Sequence, residues 1–439
     1  MPEVIVIGGG LAGCWAATTA ARLGADVTVV RRAPGATAVS SGAVDFVPPD
    51  DSENAELWLA SLPRHRPEHP FAAGGVVAGA SELRAEAEGL ARELGAAGLP
   101  MRVSWEAPML LADVHGRVRR TVMAQESVAA GDLRRCAGTT VVVATVAGLL
   151  HPDPVFVATA LRQQPPPGTP GDAQPLTLPP PPALSRGLPG GLDPATVARA
   201  LERPGAAEAL GRSLADAAGR LESSPGLALL APVMGLDEAE AVRERLSAAA
   251  GIAVAELLSP PPSAPGWRLQ AACERMAAGA GATLVSGQVE EVELDRGRAL
   301  AVRLTGGARL ECRALVLATG KYLGGGLSLD RLPRERLLDL PVFAGGAPTA
   351  GLQPADLVAR SRFREQPFLT AGLRTDGRGR PVDGFGRVVV ANLAACGAIC
   401  AGVDATLDGG GLGAAAWTAA RAARTAVEEA GSVPAARVR

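Results

Sequence analysis

Gly8-Gly9-Gly10-Leu11-Ala12-Gly13 has the spacing G-x-G-x-x-G, and its neighbours leave it few places to fold. Before it stands Val4-Ile5-Val6-Ile7, a short β-branched run. After it an alanine-rich, helix-forming stretch extends to Leu23, and 27–30 is β-branched again. The order predicts strand, tight turn, helix, strand. Within it Gly8 permits the turn, Gly10 lets a phosphate reach the main chain, and Gly13 lets helix and strand close together. The N–H groups that open the helix at Leu11, Ala12 and Gly13, with the positive end of its dipole, then face the phosphate. A Rossmann-type nucleotide or flavin site is the first expectation; a glycine turn used only for packing is the alternative.

The second strand ends Val29-Val30-Arg31-Arg32, where such folds usually carry an acid for the ribose hydroxyls of an adenosine. Arginine cannot accept those hydrogen bonds, but it can face a phosphate. Two readings stay open: a mononucleotide such as FMN, or an adenosine held in another way. Solvated arginines are the plain alternative in a chain this rich in them. Among its 43 basic residues the one lysine is Lys321, and the one tyrosine, Tyr322, follows it.

Bulk properties exclude more than they assign. With 439 residues, 47% of them hydrophobic, the chain can build two to three domains. A balance of 43 basic against 45 acidic residues gives no electrostatic reason to expect nucleic acid or an anionic membrane as partner. The opening strand leaves no room for a signal peptide, and no window reaches the roughly 20 apolar residues that span a bilayer. Cys14, Cys136, Cys273, Cys312, Cys396 and Cys400 are scattered without a C-x-x-C pair, against an iron–sulfur cluster or zinc ribbon and in favour of a reducing compartment. His65, His69, His115 and His151 show no metal pattern, so no metal is expected.

Three more stretches have the small residues that let backbone approach a flat ring. The first is Ser40-Ser41-Gly42-Ala43-Val44-Asp45, and the second is an apolar strand ending Ala318-Thr319-Gly320. Lys321 follows directly, a candidate to stabilise an anionic reduced ring. The third runs from Asn392 through Gly397, Ala398 and Asp404 to Gly411-Leu412-Gly413, a glycine run that opens a helix and can aim N–H groups at a flavin. Ala398 stands where many FAD enzymes have the aspartate that binds the ribityl chain. An ordinary Ser-Gly turn, chance survival of the lysine and a plain helix start are the respective alternatives.

The fold class expected is α/β, a Rossmann-type (FAD/NAD(P)-binding) three-layer domain interrupted by an inserted α+β cap. Residues 1–80 and 285–439 make the discontinuous flavin-binding domain; 81–284 make the cap, for substrate or partner. Within the cap, 163–182 is so rich in proline that it reads as a surface loop or disordered linker.

Taken together, the N-terminal glycine motif, residues 40–45, the run 318–326 and the ending 392–413 resemble the B-subunit of the anaerobic glycerol-3-phosphate dehydrogenases; 141–161 does so too, and the Pro-rich middle matches poorly. The resemblance implies an electron-transfer subunit holding FMN (alternatively FAD) and serving oxidation of glycerol 3-phosphate to dihydroxyacetone phosphate. It implies two partners, an FAD-containing catalytic subunit and an iron–sulfur subunit that passes electrons to membrane quinone. The chain would be cytoplasmic, on the inner face of the membrane through a partner. The residues carried over are Gly8, Gly10, Gly13, Ser40 to Gly42, Ala318 to Lys321 and Gly411 to Gly413. Departures are Cys396, Cys400 and Val403-Asp404-Ala405, where an aromatic and a proline are expected around the aspartate. One rival is a stand-alone FAD-dependent dehydrogenase or reductase of the fumarate reductase type, with Arg362, Arg364 and Arg374 as candidate acid/base residues. The other is a non-catalytic Rossmann subunit that organises a complex.

Overall fold

A β-branched run with no polar position is stable only where both faces of a strand are covered. That is the situation of β1 (Val4–Ile7), each residue of which is at most 6% exposed. In the computed structural model, which describes residues 3–48, 55–136, 138–166, 168–169, 171–184, 191–361 and 363–431, β1 is central in a five-stranded sheet. The order across that sheet is Thr283–Ser286, β2 (Val27–Arg31), β1, Ala314–Leu317 and Leu393–Ala395, all parallel. Counted along the chain this is 3-2-1-4-5, and the order turns between β1 and Ala314–Leu317. The carboxyl ends of those two strands therefore frame the crevice in which such sheets bind ligands.

Two helices cover one face, α1 (Leu11–Arg22) and the C-terminal helix Gly411–Gly431. Their alanines, among them Ala16, Ala20, Ala416, Ala419 and Ala423, are almost completely buried and let the two axes approach closely. The other face, with Ile5, Ile7, Leu315 and Leu317, packs on Val292, Val302 and Leu304 of an antiparallel sheet formed by Val289–Asp295, Arg298–Leu304 and Arg309–Glu311. The three layers are helices, parallel sheet and antiparallel sheet.

The described residues divide into two units, 1–37 with 45–97 and 270–439, and 38–44 with 98–269. The division differs from the one read off the sequence at three places, the first being 38–44, which falls in the second unit. Helix Ala80–Ala96 lies in the first unit: Leu83, Ala87, Leu90 and Leu94 are buried along one side of it, and Trp15 of α1 donates its indole N–H to Glu86. Strand Thr283–Ser286 lies there too, because it extends the parallel sheet beside β2.

The second unit has a parallel sheet of its own, in the order Ala253–Glu256, Pro225–Leu230, Thr140–Val146 and Asp172–Leu178. Alternate residues of these strands enter two separate cores. Val142, Ala144, Leu230 and Val254 meet helices Pro194–Leu201, Ala206–Ala218 and Ala239–Ala250. Val141, Val143, Leu229 and Ala255 meet Val157 and Leu161 of helix Pro154–Gln163. Two antiparallel strand pairs complete it: Met101–Val103 with Met123–Gln125 and, between them in the chain, the hairpin Met109–Ala112 with Val118–Thr121.

The Pro-rich segment corrects the sequence reading. Residues 163–182 contain the strand Asp172–Leu178, with Pro175 opposite Val143. The strand is at the sheet edge, where a residue without an N–H is tolerated.

Candidate functional site

At the carboxyl end of β1 the chain turns through Gly8 at φ +119°, a conformation that side chains avoid. A Cβ there would lie 2.1 Å from the carbonyl oxygen of Ala318, at the end of the neighbouring strand. Gly13 is just as constrained, since its Cβ would fall 1.8 Å from the Gly8 oxygen. Glycine is therefore required for the sharp turn and for the closeness of α1 to the sheet. Gly10 stands at the helix N-cap position in extended conformation, with Leu11, Ala12 and Gly13 as the first turn. The Leu11 N–H donates to Thr37 Oγ1 at 2.9 Å, and Gly35 approaches so closely that its Cβ would lie 2.7 Å from the Gly10 Cα. Sequence reasoning missed Gly35 and Thr37; the signal was there in the small residues directly after Arg31 and Arg32.

The stem of Arg31, at the tip of β2, lies on Gly9, whose Cβ would be 2.6 Å from Arg31 Cδ and 2.8 Å from its Cβ. Its guanidinium is paired with Glu274 at 3.0 Å. Gln270, one turn earlier on helix Ala264–Gly279, donates to the Gly9 oxygen at 2.7 Å and to Glu274 at 2.8 Å, and accepts the Gly35 N–H at 3.2 Å. Neither Gln270 nor Glu274 has a local motif to announce it. Arg32 is exposed.

Ala318-Thr319-Gly320 continues the fourth strand into the crevice. The Ala318 N–H donates to Ile7 at 2.9 Å, and Thr319 Oγ1 is buried without a partner among the described residues. Lys321 then turns away: its ammonium donates to the carbonyl of Leu369 and, at 3.3 Å, to that of Val403. Tyr322 donates its hydroxyl to the Phe368 carbonyl at 2.6 Å, and burial pushes its pKa up to about 12. Lysine and tyrosine together fasten one stretch of chain.

From the C-terminal constellation, Gly397 reaches the glycine loop. It has φ +77°, its Cβ would be 2.6 Å from that of Ala12, and its N–H donates to Thr418 Oγ1 at 2.9 Å. Asp404 is 1% exposed; its carboxylate accepts the Thr406 N–H at 3.0 Å and the Gln366 N–H at 3.5 Å. Gly411 and Leu412 are partly exposed at the start of the last helix, and Gly413 donates its N–H to the Asp45 carbonyl at 3.2 Å. The structure thus brings Gly8 to Gly13, Ala318 and Gly397 together. Ser40, Ser41 and Gly42 belong to the second unit, where Gly42 sits on Gln125 and Pro265.

The remaining candidates have other partners. Arg374 is paired with Glu68 at 2.5 Å and lies over the Phe343 ring at 4.0 Å; Arg362 is outside the described residues. His69 is buried, accepts the Phe71 N–H at 3.2 Å on Nδ1, and burial lowers its pKa to about 3. Burial likewise raises the thiols of Cys14 and Cys400 to about 12, so neither is a thiolate near neutrality.

Residues 3–414 match the family model described as FAD binding domain. Over 439 residues the chain is 30% identical to the anaerobic glycerol-3-phosphate dehydrogenase B-subunit of Yersinia pestis bv. Antiqua (strain Antiqua), covering 97% of this chain and 98% of the relative. The chain belongs to this B-subunit family of FAD-binding-domain proteins. Members of the family include a probable anaerobic glycerol-3-phosphate dehydrogenase B-subunit from Halobacterium salinarum (strain ATCC 29341 / DSM 671 / R1), 29% identical over 450 residues, with 97% of this chain and 98% of that one covered. Among solved structures, 3-ketosteroid delta1-dehydrogenase from Sterolibacterium denitrificans is similar at 14% identity and TM-score 0.45, with 97% and 99% of the two chains covered. The resemblance read from the motifs is borne out: this is a flavin-dependent oxidoreductase, and the relatives it matches are named as B-subunits. No helix among the described residues is long and apolar enough to cross a membrane.

The residues present fit a phosphorylated flavin. A glycine cradle that any Cβ would fill stands at a helix start, beside a buried hydroxyl, that of Thr319, still in need of a partner.

Proposed function

We propose that this chain is the flavin-dependent electron-transfer subunit of an anaerobic glycerol-3-phosphate:quinone oxidoreductase. The observation that carries the reading is the glycine cradle of the first unit, in a chain that matches relatives named as B-subunits over 97% of its length. In this reading the main-chain N–H groups at Gly10, Ala12 and Gly13 hold the flavin phosphate, the Leu11 N–H being taken by Thr37, and Ala318, Thr319, Gly320 and Gly397 line the approach to the ring. Lys321 holds the segments carrying Leu369 and Val403 in place; Asp404 and Gly411 to Gly413 form the C-terminal rim. A bound flavin supplies both two-electron and one-electron exchange.

The flavin we propose is FMN. Glycerol 3-phosphate is oxidised to dihydroxyacetone phosphate at an FAD-containing partner, and electrons leave through an iron–sulfur subunit to quinone at the inner face of the membrane. Residues 98–269 are proposed as the domain for partner or substrate.

The test is purification of the chain alone and together with its partner subunits, with extraction of the cofactor. We expect one flavin per chain, reduced by glycerol 3-phosphate only when the partners are present. A colourless chain ends the reading, and turnover of glycerol 3-phosphate with a dye acceptor by the isolated chain favours the stand-alone enzyme instead.

A further inference from the structure

We infer that Arg268 and Gln125 form a binding site in the second unit for a small hydroxycarboxylate, a carboxylate that also carries a hydroxyl group. The inference goes beyond the flavin reading above, since every group it uses belongs to residues 38–44 and 98–269.

Strand Ala253–Glu256 ends on a buried acid. Glu256 accepts hydrogen bonds from Ser127 Oγ at 2.7 Å, from the Met234 N–H at 2.7 Å and from Arg268 Nη2 at 2.6 Å, so its charge is well engaged. Arg268 is not: it is 2% exposed, yet Nε and Nη1 have no partner among the described residues. Donors buried without acceptors are costly unless a ligand supplies them. One turn before Arg268, on the same side of helix Ala264–Gly279, the Pro265 carbonyl accepts Gln125 Nε2 at 2.7 Å, and the Gly42 carbonyl accepts it at 3.5 Å. These carbonyls fix the amide and leave Gln125 Oε1 as its free end, buried and likewise without a partner among the described residues. Gln125 stands two residues from Ser127, so the contacts form one closed circuit with spare donors on Arg268 and a spare acceptor on Gln125. The circuit lies at the carboxyl ends of the second parallel sheet, where Glu256 ends one strand and Met234 follows its neighbour Pro225–Leu230. Such edges are where parallel sheets of this kind bind ligands.

The guanidinium donors call for an oxyanion, and the amide oxygen calls for a hydroxyl. Glu256 limits the charge: with Arg268 it sums to zero, so the single charge of a carboxylate is tolerated where the two of a phosphomonoester are repelled. Residues 38–44 cover this corner. Gly42 has φ +82° and its Cβ would lie 2.6 Å from Gln125 Nε2, and a Cβ on Gly266 would lie 2.5 Å from the Ala38 oxygen. Ser40 and Ser41 of this cover are partly exposed, so the ligand enters when the stretch lifts.

The test is calorimetric titration of the purified full chain with glycolate, acetate, ethylene glycol and glycerol 3-phosphate. Glycolate is expected to bind at least about tenfold more tightly than acetate, which lacks the hydroxyl, than ethylene glycol, which lacks the charge, and than glycerol 3-phosphate, which doubles it. Arg268→Lys keeps a cation opposite Glu256 but deletes Nε and Nη1, and should weaken glycolate at least about tenfold. Should that variant not fold, Gln125→Met should bring glycolate and acetate within about threefold of each other. No glycolate binding to the native chain, equal binding of all the compounds, tighter binding of glycerol 3-phosphate, or an unchanged affinity and preference in a folded variant overturns the site. The flavin content of the protein bears on none of these outcomes, so the two readings fail separately.

Discussion

Gly8 shows how little freedom a single position can have. Its backbone is left-handed and the Ala318 oxygen occupies the place of a side chain. Gly8→Ala should cost at least about 2 kcal/mol and release the flavin, measurable by urea unfolding and by the flavin absorbance of the purified protein. Lys321 gives a different expectation. Because its ammonium is bound by the carbonyls of Leu369 and Val403, Lys321→Met should lower stability by about 1–3 kcal/mol. The flavin reduction potential should hold; a shift there would instead place the charge near the ring. His69 supplies a pH dependence. It is neutral when folded, with a pKa of about 3, whereas the unfolded residue takes a proton near 6.5. The unfolded state therefore binds more protons between those values, so stability is full above pH 6.5 and declines toward 3, by at most about 1.4 kcal/mol per pH unit. His69→Asn, which keeps an acceptor for the Phe71 N–H, should flatten that part of a melting-temperature profile. The glycines were legible because their spacing states a backbone requirement. Thr37, Gln270 and Glu274 were not, since each acts through a partner distant in sequence or outside any named motif.

The first strand, helix and second strand were read correctly, as Val4–Ile7, Leu11–Arg22 and Val27–Arg31 show. Asp172–Leu178 was hidden because proline argues against a strand everywhere except at an edge, and edge position is a property of the sheet rather than of the segment. The same holds for the join between Ala253–Glu256 and the helix that begins at Ala264. Glu256, 2% exposed, accepts Ser127 Oγ at 2.7 Å, the Met234 N–H at 2.7 Å and Arg268 at 2.6 Å, and Arg268 is also 2% exposed. Glu256→Ala would leave a buried guanidinium uncompensated and should cost about 3–5 kcal/mol by urea unfolding. The double variant E256L/R268M should cost far less than the sum of its two singles. Equal, additive losses would show that the two charges do not support each other.

At the level of the molecule, an N-terminal Rossmann motif and a C-terminal return were visible in the sequence, and both lie in the first unit. The parallel sheet of the second unit was not, because its short strands Pro225–Leu230 and Ala253–Glu256 carry no turn signature that separates them from buried helix. The solitary lysine has a practical consequence for anyone charting this assembly. Amine-seeking cross-linkers and acylating dyes will meet a single side-chain target, already engaged by two carbonyls, so native protein should label there much more slowly than protein in urea, as intact mass spectrometry would register. Carboxylate- or guanidine-directed reagents are the ones that will see its surface, and trypsin will cut it almost solely after arginine.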